Sequence, residues 1–241
     1  MKQNLLRDEP MNAIKRNARI AGFIYLLLTI IAPFRLVYIP SKLFVSGNAA
    51  ATTGNIEAHE LLFRFGIVGD LVTGTVSLFL VLALYRLFRD VSKPLAILMV
   101  ALGFMDTPLY FFNVLNDIAA LLLVKGGDVF SAFDEPHRAA LAMLFLRLHG
   151  QAIACAEIFW GLWLLPLAAL VWRSGFLPRF LAVWLTINGF AYVALSFTTL
   201  LLPQYEDVVS AIAFPCQLGE VAFVLWLVIV GARPRQAAAT A

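Results

Sequence analysis

Charge is scarce in this chain. Only 14% of its 241 residues are Asp, Glu, Lys or Arg, and it has three histidines and two cysteines. An average soluble domain carries about 25% charged residues to keep its surface wet, so a water-soluble fold of this length is excluded. Cys155 and Cys216 show neither C-x-x-C nor metal-ligand spacing. Both read as small apolar packing residues. No glycine loop for phosphate, no haem or redox motif and no glycine-flanked serine occurs, although Ser77 and Ser196 lie within apolar runs. Nucleotide chemistry and intramembrane serine proteolysis therefore find no support. Low-complexity segments, a soluble domain and a clear internal repeat are also missing.

What is present in their place is apolar. Hydrophobic residues make up 61% of the chain and the mean hydropathy is +0.86. A membrane helix needs about 20 mostly apolar residues, and six segments qualify: residues 20–39, 61–87, 95–124, 139–171, 180–202 and 211–231. Turn formers mark the joints, among them Pro40, Pro94, Gly126, Gly127, Pro136, Gly175, Pro178 and Pro203. The expected fold is all-α: a polytopic membrane protein with six helices in one bundle. It has a short N-terminal segment at 1–17, a membrane domain at 18–232 and a tail at 233–241. The first span does not read as a cleaved leader, because the small residues of "GNAAATTG" lie beyond Arg35, Pro40 and Lys42, too far from the apolar core.

The basic residues give an orientation. Twelve of the 18 Lys and Arg fall at the N-terminus, at the joints holding Arg86, Arg89, Lys93, Arg173 and Arg179, or in the tail with Arg233 and Arg235. The opposite loops hold Lys42, Lys125 and Arg138. By the positive-inside rule both termini are cytoplasmic. The same placement disposes of nucleic acid as a partner, since the positive charges flank spans and form no recognition patch.

Ionisable groups inside spans cost about 2.5–3.5 kcal/mol each on insertion scales, so those that remain are informative. At ~1.5 Å per residue, Asp70, Asp106, Glu157 and Glu220 lie ~17–22 Å from the cytoplasmic ends of their spans, and Arg35 ~24 Å. Asp106, Tyr110, Asn113 and Asp117 share one face of the third span at spacings of 4, 3 and 4. His149 and Glu157 share a face of the fourth, and Gln217 and Glu220 adjoin on the sixth. Turned inward, these stripes give a polar, net acidic cavity in the outer half, with Arg35, Arg64 and Arg147 neutralising some of the acids. The ligand- or proton-binding candidates are Asp70, Asp106, Glu157, Glu220, Arg35, Arg64, Asn113, His149 and Gln217. The plainer alternative is that buried Arg–carboxylate pairs merely lock helices together.

Three functions stay open. The leading one is binding or transport of a small polar or cationic molecule, with or without proton coupling. The second is an intramembrane enzyme acting on a lipid-like substrate, with His149 and Glu157 as base or metal ligands. The third is a non-catalytic membrane subunit or sensor. No catalytic residue, cofactor or resident metal is assigned. His59 and His137 read as solvated loop residues, and Tyr38, Trp172 and Trp226 as interfacial anchors.

Four stretches carry a family resemblance: "RIAGFIYLL" at the first span, "NIEAHELLFR" before the second, "LPRFLAVWLTINGFAY" at the fifth and "GEVAFVLWLVIVG" at the end. In this order they resemble the bacterial domain-of-unknown-function family 4386 of six-helix membrane proteins. One departure is Ala182, where a glycine is expected after "PR-x-L". The resemblance implies the six-helix fold and a bacterial inner-membrane location. It carries no activity and no site residue.

Overall fold

A computed structural model describes residues 2–233. The tail beyond, with Arg235, lies outside the described residues. The helices, in chain order, are α1 (Lys2–Pro33), α2 (Ile39–Leu43), α3 (Ala49–Ala58), α4 (Glu60–Phe88), α5 (Lys93–Gly103), α6 (Asp106–Lys125), α7 (Glu135–Ser174), α8 (Arg179–Leu201) and α9 (Glu206–Ile229). No strand occurs among the described residues. Six stretches are long and apolar enough to cross a membrane: Met11–Leu43, Glu60–Phe88, Lys93–Lys125, Glu135–Ser174, Arg179–Leu201 and Pro203–Ile229. Large side chains such as Phe65, Phe79, Phe112, Phe190 and Ile229 stand exposed along them. Water would not tolerate so much open apolar surface, and lipid does. The chain is a multi-pass membrane protein built from α-helices.

Two spans are interrupted, each for a local reason. Pro40 has no N–H to give the carbonyl four residues back, and its ring crowds that carbonyl. The first span relieves this with a π-helical turn, Phe34–Tyr38, in which the Ile39 N–H bonds to the Phe34 carbonyl before α2 resumes. In the third span Pro108 is equally unable to donate to Phe104. The helix expected to run unbroken over 95–124 accordingly stops at Gly103 and restarts at Asp106. Both interruptions sit beside an ionisable residue, Arg35 in one and Asp106 in the other.

The chain divides into two compact units, one formed by the described parts of Met1–Leu27, Val76–Met105 and Glu157–Ala241, the other by Leu28–Thr75 and Asp106–Ala156. The first unit is held by helices that meet backbone to backbone. A Cβ on Gly22 would stand 2.8 Å from Leu227 Cβ, one on Gly189 would stand 2.9 Å from the Gly161 carbonyl, and one on Gly219 would stand 2.7 Å from Trp184. Small residues thus set the α1–α9, α7–α8 and α8–α9 contacts, the usual device where lipid leaves no hydrophobic drive between helices. Ala182 is buried on α8, and a close α7–α8 approach falls two turns on, at Gly189. Trp172 lies under Arg179 at 5.0 Å and Trp226 under Arg233 at 4.7 Å, an arrangement that suits aromatic residues at span ends.

The second unit has a core of Ile39, Leu43, Ile56, Phe63, Ile67, Val114, Leu121 and Leu146. The segment between the first two spans, expected to be a loop, contains α3. Asn48 caps it by accepting from the Ala51 N–H at 2.9 Å. The Thr52 hydroxyl accepts from the Val45 N–H at 2.9 Å, and Asn55 Nδ2 donates to the Leu43 carbonyl at 3.2 Å. The buried Ile56 completes the cover over the core. Cys155 is exposed on α7 and Cys216 half-buried on α9, both as free thiols. Cys155 therefore faces outward and does not take the packing role its sequence context indicates, because an apolar run does not distinguish the lipid face of a helix from its protein face.

Candidate functional site

The second unit gathers four ionisable side chains from four helical segments. Arg35 comes from the π turn, Asp70 from α4, Asp117 from α6 and His149 from α7. All four are at least nine-tenths buried, with exposures of 5%, 2%, 1% and 6%. Arg35 is central. Its Nε donates to Asp70 Oδ2 at 2.9 Å and its Nη2 to Asp117 Oδ2 at 2.5 Å. The same Nη2 lies 2.8 Å from His149 Nε2. A guanidinium only donates, so Nε2 is the acceptor and the ring proton resides on Nδ1. That Nδ1 lies 3.3 Å from Asp117 Oδ1, yet neither atom makes an aligned hydrogen bond.

Local sequence explains how Arg35 reaches the acids. Gly66 lies one helical turn before Asp70 on α4, and a Cβ there would stand 3.6 Å from Arg35 Nε. The missing side chain leaves a bare strip along which the arginine lies. Asn113 fixes the far wall: its Nδ2 donates to the His149 carbonyl at 3.2 Å, and its Oδ1 accepts from Asn116 at 3.0 Å. Near the start of α6, the Thr107 hydroxyl donates to the Gly74 carbonyl at 2.8 Å. A Cβ on Gly74 would come within 3.0 Å of Tyr110 Cβ, so that glycine permits the close α4–α6 approach.

In charge, the cluster holds one guanidinium against two carboxylates, with an imidazole that accepts from the arginine. It is one positive charge short of neutrality. Groups of this kind, removed from water, are held by a proton, a cation or a partner. Ligating atoms of Asp70, Asp117 and His149 lie within 4.8 Å of one another, so these three residues could hold a metal ion. Arg35 already bonds to all three, and a metal would have to take over the contacts its guanidinium makes.

A second polar cluster forms in the first unit around Glu220 of α9. The Tyr25 hydroxyl donates to Glu220 Oε1, Asn188 Nδ2 donates to Oε2 at 3.1 Å, and Tyr192 adds a third hydrogen bond. Asn188 Nδ2 also lies 3.4 Å from the Gln217 carbonyl, which brings the Gln217 backbone, not its amide, to the group. Tyr25 is flanked by Trp163 at 5.9 Å and Phe223 at 6.4 Å, and Tyr192 by Trp160 at 5.7 Å.

The residues singled out from sequence thus separate. Arg35, Asp70, Asn113 and His149 come together in the second unit. Glu220 belongs to the first unit, as does the half-buried Glu157. Asp106 opens α6, where a carboxylate suits the positive end of the helix dipole. Arg64 does not join the buried acids: it pairs with Glu60 of its own helix at 2.7 Å, and Lys125 meets the same carboxylate at 3.1 Å. Arg147 is exposed. His59 and His137 are exposed as well. Asp117 joins the Arg35 group although the sequence marks it only as the last member of the 106–110–113–117 stripe.

The profile of one family matches residues 20–231, nearly the whole chain, and its description is domain of unknown function, DUF4386. The chain belongs to this family. No curated protein and no solved structure matches it. Membership in DUF4386 agrees with the six apolar helices and brings no activity, so function rests on the two clusters themselves.

Proposed function

We propose that this DUF4386 protein binds, and moves in exchange for protons, a small polar or cationic molecule. The observation that carries the reading is the buried Arg35–Asp70–Asp117–His149 cluster, which lies one positive charge short of neutrality among apolar helices. Intramembrane ionisable groups that exceed what helix locking requires are the usual sites of proton and ion relays. In this reading Asp117 is the exchanging group, because its Oδ1 and the His149 Nδ1 are the two atoms of the cluster without an aligned partner. Arg35 and Asp70 hold the geometry. Location in a bacterial inner membrane with both termini cytoplasmic belongs to the same proposal, from the distribution of Lys and Arg. In a C155S/C216S background, a membrane-impermeant maleimide should label E57C in intact cells and leave R235C unlabelled; the opposite pattern reverses the orientation.

The function is tested in proteoliposomes with a trapped pH dye. Guanidinium chloride is the first probe, since it is a small polar cation that does not cross bilayers as a neutral base. Wild-type protein is expected to move protons against a guanidinium gradient, and D117N is expected not to. Equal traces for wild type, D117N and empty liposomes, for guanidinium and for a panel of small amines and polar solutes, overturn the reading in favour of a structural lock.

A further inference from the structure

The first turns of α1 carry a cavity of about 410 Å³, lined by Asn12, Lys15, Arg16, Arg19, Ile20 and Phe23. Ligand sites usually measure roughly 300–1,000 Å³. The six lining residues are all exposed, so the cavity is open from outside. Their spacings of 3, 1, 3, 1 and 3 place them on one face of the helix. Among the described residues, none of Lys15, Arg16 and Arg19 forms an ion pair or lies over an aromatic ring. Other basic residues near span ends are engaged: Arg179 lies over Trp172, Arg233 over Trp226, and Arg89 meets Asp90 at 3.8 Å. Like charges three and four residues apart on a helix repel one another. Three such cations around one open cavity call for an anion.

The rest of α1 says which anion. Its neighbouring face is already covered: Ala18 and Ala21 have no exposed surface, and Gly22 lies against Leu227 of α9. A Cβ on Gly231 would stand 3.1 Å from Lys15 Cγ and 3.6 Å from Arg19 Cγ, so the chain just after α9 packs on both stems. This orders the two cations before a ligand arrives. Beyond them the cavity face turns apolar, with Ile20, Phe23 and Leu27 exposed by 48%, 59% and 45%. We propose that this face binds an anionic phospholipid, its phosphate on Lys15, Arg16 and Arg19 and its acyl chains along Ile20, Phe23 and Leu27. Basic pockets beside membrane helices take lipid headgroups in this way. Free phosphate satisfies the cations alone and leaves the apolar half unused. The site uses no residue of the Arg35 or Glu220 cluster and stands whether or not the exchange reading holds.

The test is native mass spectrometry of the full chain in detergent, with phosphatidylglycerol and phosphatidylcholine of identical acyl chains. Wild type should hold phosphatidylglycerol roughly tenfold more tightly, because each Lys or Arg beside an anionic headgroup adds to the attraction. K15Q/R16Q/R19Q should bring the two lipids level. R86Q/R89Q/K93Q removes the same number of charges from another joint and should keep the preference. Inorganic phosphate at the lipid's concentration should leave the bound lipid in place. Should K15Q/R16Q/R19Q not be recovered folded, photoreactive benzoylphenylalanine in place of Phe23 serves, in vesicles with equal parts of the two lipids. It should cross-link phosphatidylglycerol in excess of its share. The same group in place of Leu82, which lies four residues from Arg86 as Phe23 does from Arg19, should not. No preference in wild type, a preference kept by K15Q/R16Q/R19Q, an equal loss in R86Q/R89Q/K93Q, displacement by phosphate, or no excess at position 23 over position 82 each overturn the proposal.

Discussion

Arg35 lies along the bare backbone of Gly66: a methyl group placed on that glycine would stand 3.6 Å from the arginine Nε and 3.0 Å from Ile39 Cδ1. The nearer contact is the end of a flexible side chain, so Gly66→Ala should be tolerated with a small loss of stability. Gly66→Val adds two methyl groups on the strip Arg35 occupies. Overpacking of this kind costs about 1–3 kcal/mol. The Val variant should melt lower than the Ala variant in detergent and lose the proton exchange expected of the wild type. Equal melting of the two variants would mean that Arg35 does not depend on this strip.

Arg35 offsets two buried carboxylates, and removing it alone strands both. Breaking a buried ion pair from one side costs about 3–5 kcal/mol, whereas replacing all its members by neutral groups of similar volume is often neutral or stabilising. Arg35→Met should therefore be far less stable than the triple variant R35M/D70N/D117N. Arg35→Lys should fall between, since an ammonium cannot bond Asp70 through Nε and Asp117 through Nη2 at once. Thermal melts of the three variants settle the order; a triple variant as unstable as R35M would show that the charges are not what the cluster contributes.

Much of this arrangement was legible in the sequence, and its failures have physical causes. Six apolar runs gave six spans because lipid imposes a length on each. Arg35, Asp70 and His149 stood out because ionisable groups inside spans are rare. Asp117 does not stand out because it lies near the far end of its span, and depth along a single helix says nothing about how far a neighbour's arginine reaches. Arg35 itself sits in a π turn, which rotates the residues beyond it away from the 3.6-residue period. Arg64 was expected among the buried acids. A partner one turn away on its own helix, Glu60, satisfies it instead. The break at Phe104–Met105 could have been inferred from Pro108, whose missing N–H argues against one continuous helix.

A pH effect is expected at the start of α7, outside the spans. Asp134 Oδ1 accepts the His137 backbone N–H at 3.0 Å and lies 2.6 Å from His137 Nδ1. The backbone hydrogen bond, then the imidazole, hold the Asp134 carboxyl below the usual carboxylate range. A group whose folded value is lowered stabilises above its unfolded value and loses that contribution as pH falls through the folded one. Hydrogen exchange of the peptide spanning 135–140, corrected for intrinsic rate, should show protection at neutral pH that fades in acid. Asp134→Ala should lack that protection at every pH. Identical exchange in the two proteins at neutral pH would remove Asp134 as the cap of this helix.

The last prediction joins helix packing to the Glu220 cluster. Gly189 follows Asn188 on α8, and a Cβ there would meet the Gly161 carbonyl at 2.9 Å and Leu165 Cδ2 at 3.0 Å. A carbonyl in the middle of α7 cannot swing aside as a side-chain end can, so even Gly189→Ala must push the two helices apart. Asn188 moves with that backbone, and its hydrogen bond to Glu220 Oε2 at 3.1 Å is the contact that lengthens. Gly189→Ala should therefore lower thermal stability. Gly54→Ala, at an exposed position where an added Cβ meets nothing within 4 Å, is the control and should melt as wild type does. If Gly189→Ala melts as wild type does, the approach of α8 to the Gly161 carbonyl is not what holds these two helices together.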